Sequence, residues 1–430
     1  MHHFAYRDGA LFAEDVDLRR IAAEVGTPVY VYSSATIERH YRLFESAMRG
    51  IDPAGPAPHV FYAVKANGNL GVLKTLAALG AGADTVSEGE VRKALAAGFA
   101  PEKIVFSGVG KSESELAFAV GAGIFQINIE SESELDLLSK VAARLGKRQE
   151  AVFRVNPDVG AGGHAKITTG SAANKFGVSF EEASRLYARA ANMPGVRMMG
   201  LAVHIGSQIR ETEAFEAAYA KMVGLVGSLR AEGHRVDRLD LGGGLGIPYE
   251  IPKDFDHGPS LIEDYAAMVG RVTKGLDVEL GFEPGRLIVG NAGVLLTQVL
   301  HLNSRPTKQF LVVDAAMNDL LRPAMYEAYH EIWPVAEPAA EMRKLAYDVV
   351  GPICESGDTF TTDRLLPELK QHDLIAFMTA GAYGASMSST YNQRPLVAEV
   401  LVKGAEFAVT RPRQSYEDLI GTDRAPPWLA

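Results

Sequence analysis

One cysteine, Cys354, stands in 430 residues, so no intrachain disulfide can form and a reducing compartment suits the chain. Basic residues are outnumbered, with 43 Lys and Arg against 53 Asp and Glu, for a formal net charge of -10. With no basic stripe, neither nucleic acid nor an anionic membrane surface is an expected partner. No apolar run approaches bilayer-spanning length, and the stretch up to Asp17 has no apolar core of signal-peptide length. A cytoplasmic protein is therefore expected. His2-His3 is too short for an affinity tag and runs into Phe4-Ala5-Tyr6, which reads as native strand. There is no solenoid-type repeat and no low-complexity segment, and no metal site is expected. What is present is ordinary for a globular protein. Hydrophobic residues make up 47% and charged residues 22%, enough to build a sizeable core in one large or two smaller domains.

Residues 4–12 alternate weakly around Asp8-Gly9, as a small hairpin would. Asp15–Val25 patterns as a short helix, Val29-Tyr30-Val31-Tyr32 as a strand, and Ser34–Met48 as a helix with Ser34 as its N-cap. From residue 59 a regular alternation begins. Strand-like runs at 59–64, 83–86, 103–107, 124–128, 151–155, 199–204, 237–241 and 278–283 are separated by helical patterns. Eight such units over roughly 225 residues predict an α/β fold, a (β/α)8 TIM barrel, with a doubly wound open sheet as the alternative. After residue 290 the runs Gly293–Leu302, Phe310–Asp314, Leu345–Val350, Leu374–Thr379 and Leu396–Val402 are strand-like, and long helical patterns cease. This predicts a mostly β C-terminal domain, sandwich or barrel, that also takes in the N-terminal strands. The expected boundaries are 1–33, 34–289 and 290–430.

Barrels carry their functional residues at the C-terminal ends of the strands. The first strand runs into Lys65, and Asn67-Gly68-Asn69 follows as turn chemistry. An amine there either sits charged at the rim or, desolvated, condenses with a carbonyl. The second strand ends near Asp84, the sixth in His204-Ile205-Gly206-Ser207-Gln208, the seventh in Gly242-Gly243-Gly244, and the eighth in Glu283-Pro284-Gly285-Arg286. Each has a bland reading: a glycine run is a flexible turn, a lone histidine is a rim residue, and Glu283 pairs with Arg286. Together they suit one ligand. Bare glycine backbone lets N–H groups approach a phosphate, and the loops after strands seven and eight are where barrels commonly hold one. A lysine, a phosphate cradle, a stacking histidine and a carboxylate for a ring nitrogen describe pyridoxal 5'-phosphate.

The chain is similar, over nearly its whole length, to the diaminopimelate decarboxylases, in the alanine-racemase-like class of pyridoxal-phosphate enzymes. The matching stretches are Phe61-Tyr62-Ala63-Val64-Lys65-Ala66-Asn67, His204-Ile205-Gly206-Ser207-Gln208, Gly242-Gly243-Gly244-Leu245-Gly246-Ile247 and Glu283-Pro284-Gly285-Arg286. Further on come the run from Asp314 to Pro323, Cys354-Glu355-Ser356-Gly357-Asp358 and Gly381-Ala382-Tyr383-Gly384. The resemblance implies that Lys65 takes the cofactor's aldehyde and that His204 stacks on its ring. It also implies that Glu283 pairs with the ring nitrogen and that Asp84 belongs to the cofactor site. Gly243, Gly244, Gly285, Arg286, Ser207 and Tyr383 would hold the phosphate or cofactor. Arg286, Arg322 and Tyr326, with Tyr383, would bind the far end of the substrate. Cys354, as proton donor, and Glu355, as contact for the distal amino group, would come from the second subunit of a homodimer. The implied reaction is decarboxylation of meso-diaminopimelate at its D centre to L-lysine, the last step of lysine biosynthesis.

Charge supports that choice among relatives. A distal carboxylate needs a cation, which Arg286 and Arg322 can supply, whereas ornithine or lysine calls for acidic residues alone. A carboxylate at Glu283 keeps a ring nitrogen protonated, which favours a decarboxylase over a racemase. The alternatives are a decarboxylase for ornithine, arginine or carboxynorspermidine, and a non-catalytic pyridoxal-phosphate-binding homologue. The chain departs from the usual Ser-Gly-Gly-Glu of the family at Ser87-Glu88-Gly89-Glu90, and Asn174 precedes Lys175-Phe176-Gly177. The Gly-, Ser- and Thr-rich stretch Ala161–Ser171 suggests a lid.

Overall fold

The computed structural model describes residues 2–160, 174–250 and 261–429. The lid expected at Ala161–Ser171 lies outside them. The described chain divides into two units: residues 38–160, 174–247 and 261–288, and residues 2–37, 248–250 and 289–429.

The first unit is a closed barrel of eight parallel strands. In chain order these are His59–Ala63, Gly82–Thr85, Ile104–Phe106, Gln126–Ile129, Gln149–Arg154, Val196–Ala202, Arg238–Asp240 and Glu279–Phe282. Closure comes from the eighth strand pairing with the first, Gly281 with His59 and Phe282 with Val60. The strands are largely buried, because a closed parallel sheet is covered on both faces, and polar residues interrupt their short apolar runs. Four of the helices between them start on serine. Ser87, Ser112, Ser131 and Ser179 each accept the backbone N–H three residues on, satisfying one of the donors that a helix start leaves open. In the divergent Ser87–Glu90 stretch, Ser87 is such a cap, and Glu90 reaches back to the Val86 N–H at 2.8 Å.

In the second unit, strand Val29–Ser33 lies between two distant stretches of chain. It pairs antiparallel with the strand Gly293–Ser304 and parallel with Ala398–Lys403, inside a nine-stranded sheet. A three-stranded N-terminal sheet, Phe4–Arg7, Ala10–Ala13 and Val16–Asp17, contributes Phe4, Leu11, Ala13 and Val16 to the same apolar core. Two expectations are corrected here. The helix Ser34–Arg49 begins one residue earlier than a Ser34 cap allows. Ser33 is the residue whose Oγ accepts the Thr36 N–H, at 3.1 Å. The β region also holds strands that the sequence pattern hides, notably Thr359–Pro367, where Asp363 at φ +49° interrupts the alternation.

Candidate active site

The barrel unit brings its site residues together at one end. The first strand stops at Ala63, so Lys65 sits on a single 3-10 turn, Val64–Ala66, and not on the strand's last residue as expected. Its Nζ lies 2.5 Å from Asp84 Oδ2, with Asp84 wholly buried and Lys65 about one-third exposed. Asp84 Oδ1 is buried with no hydrogen-bond partner among the described residues. Glu283 is buried, and its carboxyl is pushed well above the usual range, first by burial and then by Asp240 and Asp84, while Lys65 and Arg154 pull it back.

His204 accepts the Gly243 N–H on Nδ1 at 3.3 Å, which puts the proton of a neutral ring on Nε2. Burial, with Arg154 and Lys65 nearby, holds the ring well below the usual histidine range and so neutral. Side chains cannot be added to the loop after the seventh strand. A Cβ on Gly243 would run into the Glu283 carbonyl, and one on Gly244, at φ +112°, into the Gly206 carbonyl. These are backbone-on-backbone contacts between loops six, seven and eight. Gln208, itself at φ +63°, locks the same loops with a two-way amide clasp: Nε2 donates to the Ile247 carbonyl at 2.6 Å and Oε1 accepts the Ile247 N–H at 3.2 Å. Gly285 fits against Ala63 and Ala66. Arg286 is buried and donates from Nη2 to Ser207 Oγ at 3.1 Å.

The remaining predicted residues belong to the β unit, on three segments. Arg322 and Tyr326 open and close the helix Arg322–Tyr326. Arg322 is buried, and its Nη1 donates to His330 Nε2 at 2.9 Å. His330 gives its Nδ1 proton to the Met378 carbonyl at 2.9 Å, so it is a neutral acceptor that aims the guanidinium. Tyr249 lies under the same guanidinium, 4.5 Å from ring centre to Cζ. Cys354 is exposed and heads the second segment. Asp358 holds that loop, accepting the Ile353 N–H at 2.6 Å and the Met317 N–H at 2.7 Å. Glu355 lies beside the Tyr391 hydroxyl and pushes its pKa up from the ordinary value. Tyr383, on the third segment, is held at φ +55°, a conformation that L residues seldom adopt.

A model of the family described as pyridoxal-dependent decarboxylase, pyridoxal binding domain, matches residues 34–290. The diaminopimelate decarboxylase of Zymomonas mobilis is 47% identical over 427 residues, covering 99% of each chain. The chain belongs to the diaminopimelate decarboxylase family of pyridoxal-dependent decarboxylases. Solved members share the whole architecture. The M. jannaschii enzyme, crystallised in co-complex with L-lysine, superposes with a TM-score of 0.93 at 36% identity, with both chains covered in full. The Helicobacter pylori enzyme complexed with L-lysine gives 0.88 at 38% identity, covering 94% of this chain and 99% of that one. The resemblance carried by the short motifs thus extends along the entire chain.

Sequence reasoning, which met Arg154 and Asp240 at the ends of strands five and seven, gave no role to several residues of the barrel mouth. Arg154 pairs with the buried Glu130 at 3.2 Å, and Glu130 also accepts the N–H groups of Gly108 and Gly177. Lys111, almost wholly buried, ties Glu134 to the carbonyls of Gly108 and Asn128. Asp240, Asn128 and Gln126 form a polar file inside the barrel. The one available signal was polar residues interrupting short, otherwise apolar strands. Among the described residues no helix is long and apolar enough to cross a membrane, and no cluster of three His, Cys, Asp or Glu could hold a metal.

Proposed function

We propose that this protein decarboxylates meso-2,6-diaminopimelate at its D centre, giving L-lysine and CO2 in the cytoplasm as the last step of lysine biosynthesis, with pyridoxal 5'-phosphate bound at the barrel mouth. The observation that carries the reading is the meeting there of an amine, Lys65, with a buried carboxyl, Glu283, whose proton the surroundings retain. Two further features fit that cofactor: a loop with no room for side chains, suited to a phosphate, and an unsatisfied buried oxygen on Asp84. Full-length relatives of 47% identity carry the same activity in their name.

On this reading Lys65 takes the cofactor's carbonyl carbon, and Asp84 holds its ammonium beforehand. Gly244, Gly285 and Arg286 offer backbone N–H groups to the phosphate, with Ser207 and the Tyr383 hydroxyl, and Gly243, whose N–H is held by His204, would join them by turning from that ring. His204, neutral, packs on the ring, and Glu283 keeps a proton at the ring nitrogen. When bound, pyridoxal phosphate supplies the sink for the electron pair that departing CO2 leaves at Cα. Arg286, Arg322 and Tyr326 hold the distal carboxylate. Glu355 of the partner subunit meets the distal ammonium, and Cys354 of the partner subunit gives its thiol proton to Cα. The exposed position of the Cys354 loop supports the homodimer.

CO2 release from meso-diaminopimelate, beside L-lysine, L-ornithine and L-arginine, tests the reading. Release from diaminopimelate alone is expected, and release from another substrate would refute the assignment of Arg286 and Arg322. The shared site has its own test. Mixing inactive Lys65→Ala and Cys354→Ala subunits should restore about a quarter of the activity, because half the dimers then hold one intact site; no recovery on exchange would place all the residues within one chain.

A further inference from the structure

Two side chains outside the predicted site hold Arg322. The chain turns back on itself to bring in the first. Pro323 follows Arg322 at the start of the five-residue helix, and Glu327, at φ +52°, ends it by closing its N–H onto the Arg322 carbonyl. The reversed chain delivers His330 to the guanidinium, with Nε2 2.9 Å from Arg322 Nη1. A guanidinium only donates. The Met378 carbonyl, 2.9 Å from Nδ1 on the other side of the ring, only accepts. The proton of His330 is therefore fixed on Nδ1, and the ring is neutral. Its backbone is fixed as well. Glu331 accepts the Met378 N–H at 2.8 Å, Ile332 pairs with Phe377 in the sheet, and Arg364 donates to the His330 carbonyl at 3.3 Å.

Tyr249 makes the second contact, from residues 248–250 of the same unit. Its ring centre lies 4.5 Å from Arg322 Cζ, and its ring meets that of His330 edge-on, at 5.4 Å and 83°. One residue thus takes an edge of the guanidinium and the other takes a face. Arg322 and His330 are both buried. A carboxylate in either place would pair with the cation and oppose its pull on an incoming anion. An imidazole and a phenol ring orient the cation without neutralising it.

We propose that His330 and Tyr249 are the positioning residues of Arg322. By fixing this cation they set the preference for a molecule whose far end carries a carboxylate over one that ends in a bare amine. The inference rests on the reading of Arg322 as the contact for the distal carboxylate. A mobile arginine loses side-chain freedom each time it closes on a carboxylate, and one oriented beforehand does not.

L-Lysine and cadaverine make the test, because they differ by one carboxylate, the one this cation would meet. Both are titrated into holoenzyme by calorimetry. The unmodified protein should bind L-lysine the more tightly. His330→Met should weaken L-lysine by about 10- to 100-fold and leave cadaverine within about twofold. Tyr249→Leu should weaken L-lysine by about 3- to 10-fold with the same selectivity. KM for diaminopimelate should rise in step, with a smaller change in kcat. His330→Gln, whose amide oxygen can replace Nε2 as acceptor, should recover part of the loss. Equal weakening of both amines in these variants, or unchanged L-lysine affinity, overturns the proposal. The unmodified protein gives an answer that needs no variant to fold: in nitrogen NMR of histidine-labelled holoenzyme, His330 should carry its proton on Nδ1, and a proton on Nε2 overturns the proposal. Arg322→Met separates the two readings. If it removes the advantage of L-lysine while His330→Met and Tyr249→Leu do not, Arg322 keeps its role and the positioning falls. If L-lysine has no advantage, or keeps it in Arg322→Met, the reading of Arg322 falls and the proposal with it.

Discussion

The candidate residues of the barrel and those of the β unit are held in different ways. At the barrel mouth these candidate side chains are each held by a residue of another element: Lys65 by Asp84, His204 by Gly243, Arg286 by Ser207, and Glu283 by Asn128. In the β unit Cys354 stands exposed on a loop whose shape depends largely on one carboxylate, Asp358. Electrostatic work on a ring needs fixed charges in a dry setting, which short parallel strands provide. A group that must meet the substrate at the right moment can be presented on a loop, provided the loop is clasped.

Substitutions can break that contrast. Lys65→Ala has the largest expected effect: CO2 release falls by about 10^3-fold or more, and the cofactor's lysine-bound absorbance disappears. Cys354→Ala should lower kcat by about 10^2- to 10^4-fold, the usual worth of a placed proton donor, and leave cofactor absorbance unchanged. A shifted absorbance would show the β unit tuning the ring as well. Arg322→Met removes the cation that His330 aims. A rise of about 10- to 100-fold in KM for diaminopimelate is expected, with a smaller change in kcat, and steady-state kinetics would show it. Asp358→Asn turns an N–H group toward the N–H of Ile353 or Met317. It should cost about 1–3 kcal/mol of stability, visible in the denaturation midpoint, and lower activity without loss of cofactor.

The smallest effect concerns pH and belongs to the barrel alone. Burial pushes Asp240 up to about 6 and Glu283 well above the carboxylate range. Both folded values exceed the unfolded ones, so the stability these groups contribute is present below about pH 4 and is lost as pH rises through 6. Without cofactor, Glu283→Gln should flatten that decline by less than about 1.4 kcal/mol per pH unit in urea titrations. An unchanged slope would mean that the interior carboxyl pair does not govern it.

How much of this was legible depended on how local the signal was. Eight strand–helix alternations and the residues just beyond the strands, Lys65, Gly243-Gly244 and Glu283, could be read from spacing alone, because barrels place function there. The file Arg238–Gln126–Asp240–Asn128 could not. Its members come from the fourth and seventh strands, and only closure of the barrel makes them neighbours. Ser34 was chosen over Ser33 because both are good caps and the pattern does not resolve one residue. The strand Thr359–Pro367 escaped because its partner Lys344–Val350 carries register shifts and its own course turns at Asp363. Burial of Arg322 against His330 and Tyr249 joins residues 73 or more apart from Tyr249 to a helix of five, which no short window could anticipate.

The strand Val29–Ser33 has a consequence for biosynthesis. Its two neighbours in the sheet, Gly293–Ser304 and Ala398–Lys403, are translated long after it. At roughly 5–20 residues per second, about 15–50 s separate the emergence of this strand from that of its first partner. The barrel residues are all made in between. Folding on the ribosome therefore has a fixed order: a nascent barrel trails an unpaired apolar N-terminal strand, and the β unit closes only when the last stretch of chain arrives to flank it.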